Sequence, residues 1–215
     1  SSVDGILLMN DEMTQETAKL LQYTPVPVLF VNAIPKSDKY GSVCIDYQES
    51  AYKITKKMIE RGYKSIMFVG TEHKYTVNDY KLNGYVKAME EAHLPTNIVF
   101  SSGDVSINEK HFTQIMENKL PEVALFVRDS MAISFMNIAV KKGHRVPEEL
   151  QIIGFQNTKY AELSNPKLTC VETPIYEIGN RAMAYLTELM RETNAQEKPK
   201  HILVDYKVIW RESTK

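Results

Sequence analysis

The sequence predicts an α/β protein built on parallel sheets. Short apolar runs alternate with stretches of helical periodicity along nearly the whole chain, the pattern of parallel α/β folds. Several runs end at a glycine or a polar residue, which sets polar groups at strand carboxyl ends, where open α/β sheets bind ligands. With 215 residues, 43% apolar and 25% charged, the chain can bury a sizeable core as one domain or two.

Taken in order, residues 5–9 read as a strand, followed by a helix ending near Tyr23 and a strand over 26–31. After a polar loop, residues 43–45 read as a short edge strand. Over 50–61, Ala51, Ile54, Met58 and Ile59 share one helical face, and Gly62 supplies the stop. Residues 65–70 form the next buried strand, and 71–79 are polar without a clean period. A helix over 81–91 buries Leu82, Val86 and Met89, and a strand follows at 97–100. Ser106 and Glu109 have the spacing of a capping box, opening a helix that buries Ile107, Phe112, Ile115 and Met116. Residues 123–127 are a strand, and 130–142 an apolar helix stopped by Gly143.

The stretch 146–174, VPEELQIIGFQNTKYAELSNPKLTCVETP, holds the most information. Its apolar run stops at Gly154-Phe155, and Gln156 and Asn157 stand at the carboxyl end. Asn165-Pro166 turns the chain into a second short strand at 168–172. Thr173-Pro174 reads as an N-cap and a first-turn proline. The following helix, 175–193, presents Ile178, Ala182, Leu186 and Leu189 on one face. Residues 192–200 form a polar linker before the last strands at 202–210.

This stretch resembles the effector-binding core of LacI/GalR-type bacterial transcription regulators, whose segment reads "VPEDI.IIGFDD….P.LT…P". Val3-Asp4-Gly5-Ile6 is similar to the family's "VDGI", and Arg61-Gly62-Tyr63-Lys64-Ser65-Ile66 to "lGHkrI". Lys81-Leu82-Asn83-Gly84-Tyr85 resembles "R..Gy", Asp129-Ser130-Met131-Ala132 "nDxmA", and Trp210-Arg211-Glu212-Ser213-Thr214 the closing "R.ST". Each match is short; their order along the chain identifies the superfamily.

The resemblance implies two doubly wound parallel-sheet lobes of the periplasmic binding protein-like class I, with crossover hinges near 70–75, 168–173 and 200–204. An N-terminal lobe would take 1–70 with 174–200, and a C-terminal lobe 75–170 with 203–215. The opening strand resembles the family's third, so the first lobe is expected to be incomplete, with one or two βα units before it (about 30 residues per βαβ unit). The implied function is effector sensing by a transcription regulator, expected to be a repressor: a small sugar-like molecule binds between the lobes of a homodimer. Operator DNA would be met by a helix-turn-helix domain that this chain lacks. A solute-binding protein of a sugar transporter shares the architecture and stays open as an alternative, favoured by a signal sequence upstream. The "VPEEL" segment and the Arg211-Glu212-Ser213-Thr214 ending resemble regulators more closely and weigh against it, and an enzyme with an atypical site is the third reading.

Composition narrows these classes. A net charge of -1 and a pI near 6.5 leave no basic footprint for nucleic acid in this chain. Cys44 and Cys170 are far apart with no CxxC spacing, so reduced, buried thiols are expected rather than a disulfide or zinc site. No apolar run nears the roughly 18 residues of a membrane span, and no signal-peptide pattern opens the chain, so a cytoplasmic protein with no membrane partner is expected. The G-x-S-x-G, G-x-x-x-x-G-K-[ST] and G-x-G-x-x-G motifs are missing. His73, His93, His111, His144 and His201 are scattered without ligand spacing. No catalytic residue, metal or cofactor is therefore assigned.

The candidate ligand-binding residues are Lys81, Arg128, Gln156, Asp46, Tyr47, Asp11 and Asn10. By the resemblance, Lys81 stands where relatives place an effector-gripping arginine, Arg128 where they often have asparagine, and Gln156 where they have aspartate. These departures make the pocket more cationic and favour an anion such as a sugar acid or phosphorylated sugar, because an unpaired buried cation is costly. The plainer alternative has Lys81 reaching solvent and Arg128 pairing with Asp129, Glu49 or Asp46. Asn10 and Asp11 follow the first strand, and Asp46 and Tyr47 the strand at 43–45; amides and carboxylates there suit hydroxyl-rich ligands. Tyr75, Phe126 and Tyr160 are candidates for an apolar wall.

Overall fold

The computed structural model describes residues 3–9, 15–191 and 198–215. Asn10, Asp11 and most of the expected linker at 192–200 lie outside the described residues. The chain opens with β1 (Ile6–Leu8), α1 (Gln15–Gln22), β2 (Val28–Val31) and β3 (Gly41–Cys44). Next come α2 (Tyr47–Glu60), β4 (Ile66–Thr71), α3 (Thr76–Glu91), β5 (Asn97–Ser101), α4 (Val105–Met116) and β6 (Val123–Phe126). They are followed by α5 (Asp129–Lys141), β7 (Gln151–Gly154), α6 (Lys159–Leu163), β8 (Thr169–Val171), α7 (Ile175–Arg191), β9 (His201–Leu203) and β10 (Val208–Ile209). The predicted α/β class holds, with all strand pairs parallel except β10 on β8.

The chain divides into two compact units. One takes Ser1–Asp46, Tyr75–Val77 and Pro174–Asp205; the other takes Tyr47–Lys74, Asn78–Thr173 and Tyr206–Lys215. Residues 47–70, expected in the first lobe, therefore belong with the second. β4 pairs with β5 on one side and β6 on the other, and Gly84 of α3 sits against the backbone of α2. Apolar periodicity reveals a buried strand but not which sheet buries it. Residues 75–77 group with the first unit, and so do 203–205, since β9 pairs with β3.

The first unit has the strand order β1-β2-β3-β9. β3 is thus an inner strand, not the expected edge, because β9 returns from far along the chain to cover it. α7 buries Ile178, Ala182, Tyr185 and Leu186, and Leu186 lies directly over Gly5. Thr173 is not this helix's cap: its hydroxyl donates to Phe155 O at 3.1 Å, and the first helical bond runs from Ile178 N–H to Pro174 O.

The second unit has the order β10-β8-β7-β6-β4-β5. Its core includes Phe112, Phe126 and Phe135, with ring centroids 5.1–5.9 Å apart in edge-on or tilted pairs; each buried ring contributes roughly 1.5–3 kcal/mol. Phe126 is thus core rather than pocket wall, and Tyr160 is 56% exposed on α6. Tyr85, fully buried, donates to Ile66 O and accepts from Asn97 N, joining the starts of β4 and β5. α3 begins at Thr76, before the expected 81, and buries Lys81, Tyr85, Ala88 and Met89, while Leu82 and Val86 are only half-buried. Asp104, not Ser106, caps α4, accepting from Ser106 N at 2.8 Å and Ile107 N at 3.2 Å. That shift turns Ile107 outward, 56% exposed. Gly62 and Gly143 end their helices at φ 96° and 87°, the left-handed region glycine favours.

Candidate functional site

In the second sheet the chain moves outward from β4 to β5, then turns back to build β6, β7 and β8 on the other side. The strand order therefore reverses between β4 and β6. In doubly wound sheets that reversal opens a crevice outside the strand carboxyl ends. Lys81 follows β4, Arg128 follows β6 and Gln156 follows β7, so all three candidates stand on this one edge.

Thr71, the last residue of β4, donates its hydroxyl to His73 O at 2.7 Å and accepts Asn78 Nδ2 at 3.2 Å. Asn78 Oδ1 in turn accepts Lys81 Nζ at 3.3 Å. One helical turn separates Asn78 from Lys81, so α3 presents both on one side. The ammonium lies 5.4 Å from the Tyr47 ring centroid and 5.7 Å from that of Phe155, positions where ring faces attract a cation. Lys81 is 5% exposed and does not reach out to solvent as a long lysine usually does.

Arg128 is half-buried, in extended conformation immediately before α5. Its Nη1 lies 3.4 Å from where a Cβ on Gly103 would stand. Gly103 follows β5, so the arginine reaches across the end of β4. Asp129 is not its partner. That fully buried carboxylate accepts Gln156 N at 3.2 Å, Thr158 N at 2.7 Å and Thr158 Oγ1 at 3.0 Å, and Cys170 Sγ lies 3.6 Å away. Gly154 is required beside it, since a Cβ there would collide with Asp129 Oδ1. Burial and the neighbouring Asp129 charge push the Cys170 thiol well above its ordinary range.

Gln156 accepts the Asp129 amide on Oε1 at 3.0 Å. An N–H can only donate, so this bond fixes the amide orientation and turns Nε2 the other way. Tyr47, 3% exposed, joins the site as the ring beside Lys81. Asp46 belongs to the first unit, where burial of the Cys44 thiol, and after it the Asp46 charge, raise that thiol to about 11. Asn10 and Asp11 fall outside the described residues.

Sequence reasoning missed the groups that hold this edge in shape. Arg211 donates to Leu168 O and Asn157 Oδ1, each at 2.7 Å. Asn157 sits at φ 62° and donates to Glu172 Oε1 at 3.0 Å. Ser213 donates to Ile152 O at 2.6 Å and accepts Thr169 N at 2.8 Å, bridging β7 and β8. The closing "R.ST" motif was the available signal, and its task is to fasten the strands that carry Gln156. Among the described residues there is no cluster of metal-ligating side chains, and no helix is long and apolar enough to cross a membrane.

The periplasmic binding protein-like domain family matches residues 55–214. Catabolite control protein A of Staphylococcus aureus (strain MRSA252) is 35% identical over 216 aligned residues, which span 99% of this chain and 65% of that protein. The chain thus covers slightly less than two thirds of that relative. The crystal structure of the transcription regulator CcpA of Lactococcus lactis superposes with a TM-score of 0.88 at 28% identity, covering 99% of this chain and 79% of that one. A LacI family transcriptional regulator from Enterococcus faecium, solved with bound ribose, superposes with a TM-score of 0.86 at 18% identity over 99% of this chain and 80% of that one, a likeness of fold. These relatives are regulators by name, not enzymes. The chain belongs to the periplasmic binding protein-like domain family.

Proposed function

We propose that the chain is the sensing core of a bacterial transcription regulator, and that it takes a small hydroxyl-rich anion at the carboxyl edge of the six-stranded sheet. A sugar acid or sugar phosphate fits that description. The observation that carries this reading is the placement of two cations, Lys81 and Arg128, at the reversal between β4 and β6, one of them 5% exposed. Two positive charges at one strand edge raise the local potential and favour a ligand that carries negative charge. Gln156 adds a donor: its Nε2 makes no hydrogen bond among the described residues, which suits a hydroxyl or anionic oxygen. The same fold holds ribose in the Enterococcus faecium regulator.

In this reading the working protein is a cytoplasmic homodimer that meets operator DNA through a helix-turn-helix domain outside this chain and acts as a repressor. Exposed apolar side chains support a second copy as partner: Val105 and Ile107 on α4, and Tyr160 and Leu163 on α6, are 56–76% exposed. α5 packs on both of these helices. The effector shifts the regulator only as far as its affinity differs between the regulator's two states.

Calorimetric titration with glucose, glucuronate and glucose 6-phosphate tests the ligand class. The anions should bind at least about tenfold tighter than glucose, roughly 1.4 kcal/mol, and Lys81→Met should remove most of that preference. Equal or tighter binding of glucose would end the anionic reading.

A further inference from the structure

The first unit holds a cavity of about 360 Å³ at the amino ends of β2, β3 and β9, within the usual range of roughly 300–1,000 Å³ for small-molecule sites. Leu21, Val28 and Leu189 form its apolar floor, and Lys39, Lys198 and Lys200 stand around it, with no Asp or Glu among the lining residues. Among the described residues these three lysines have no ion-pair partner.

A buried phenol faces the same space. Tyr185, on α7, lines the cavity and is 4% exposed. Its oxygen accepts the Lys200 amide at 2.7 Å, while its own O–H donates to no described residue. The Lys200 ammonium lies 5.9 Å from the Tyr185 ring centroid. Gly41 makes the arrangement possible, because a Cβ at the start of β3 would run into Lys200 O and the Tyr185 ring. An O–H facing the cavity can donate to an incoming anionic oxygen in a charge-assisted bond.

We propose that this cavity is a second binding site, separate from the carboxyl edge of the other unit, for a small amphipathic anion: a carboxylate or phosphate carried on an apolar body. The three ammoniums draw the charged head. The Tyr185 O–H donates to one of its oxygens. The floor of Leu21, Val28 and Leu189 takes the apolar part. A neutral apolar molecule leaves the phenol without an acceptor, and a sugar leaves the floor unfilled. This site does not depend on the ligand proposed for the Lys81 edge.

The test is titration of the 215-residue chain with phenyl phosphate, benzoate and neutral benzyl alcohol, followed by amide chemical shifts. Both anions should move the Tyr40, Gly41 and Lys200 amides and leave those of Asp129 and Gln156 in place. They should bind at least about tenfold tighter than benzyl alcohol and weaken as salt is added; the tighter of the two identifies the head group. Lys39→Ala combined with Lys198→Ala alters only exposed side chains and should cut anion affinity about tenfold without moving the thermal midpoint. Tyr185→Phe should cut it by a similar factor through loss of one charge-assisted donor. Benzyl alcohol binding as well as the anions, shifts centred on Asp129 and Gln156, or unchanged affinity in the double-lysine variant would each overturn the proposal.

Discussion

Asp129 and Gln156 hold each other in both directions: the Asp129 amide donates to Gln156 Oε1 at 3.0 Å, and the Gln156 amide donates to Asp129 Oδ1 at 3.2 Å. This clasp joins the carboxyl ends of β6 and β7 and leaves Nε2 of Gln156 as the donor on the site. Gln156→Glu keeps an acceptor for the Asp129 N–H but sets a second carboxylate beside a fully buried one. Like charges at that distance oppose ionisation, so the new carboxyl has a raised pKa. The variant should be less stable by about 1–3 kcal/mol at neutral pH. Below the raised pKa the new carboxyl is neutral, so stability should recover as the solution is acidified. Urea unfolding at about pH 7 and pH 5 checks this, and anion binding should drop in parallel.

Gly84 tests the packing of α3 on α2. In an exposed helix interior, Gly→Ala would gain about 1 kcal/mol of helix propensity. Here a Cβ would meet Gln48 O and Tyr52 N, backbone atoms that cannot swing aside as a side chain can. Overpacking of that kind costs typically 1–3 kcal/mol or more, so the clash wins. Gly84→Ala should lower the thermal midpoint, whereas Asn83→Ala, at an exposed position on the same helix, should leave it level or raise it.

Ser213 is fully buried and fastens β7 to β8 through one hydroxyl. Ser213→Ala strands the Thr169 N–H and removes a donor from Ile152 O. Leaving such groups unpaired should cost about 1–3 kcal/mol. Hydrogen exchange gives the specific readout: the Thr169 amide should exchange faster, and a general loss of stability without that local change would contradict the clamp.

Where the sequence was legible, a local pattern and a tertiary contact agreed. The run ending at Gly154 was readable as a buried strand because its neighbours are apolar and its end is polar, and Gly62 and Gly143 marked helix ends through the left-handed conformations they adopt. The misreadings arose where a distant partner decided the outcome. Nothing in 66–71 says that β6 will lie beside it, so β4 was placed in the wrong lobe. Ser106 and Glu109 have capping-box spacing, but the Asp104 carboxylate takes the helix amides first. Gln156 was legible as a polar residue at the carboxyl end of a buried strand, while the use of its oxygen by Asp129 was not, since 27 residues of chain separate them.

Glu122 provides a pH test of how the start of β6 is tied to the start of β4. Its carboxylate accepts the Lys64 and Ser65 amides, each at 2.9 Å, and those bonds, Ser65's first, lower its pKa from the ordinary 4.5. A depressed folded-state pKa contributes stability above the unfolded value and loses it as the pH falls through the folded value. Glu122→Gln keeps an acceptor but loses the charge. The side chain is exposed, so solvent screening limits the difference to no more than about 1 kcal/mol at neutral pH. Wild type should therefore be the more stable protein at about pH 7, and the two urea midpoints should converge as the pH drops below the ordinary carboxylate range. A gap that persists undiminished into acid would mean that the substitution acts through packing rather than through the charge on those two amides.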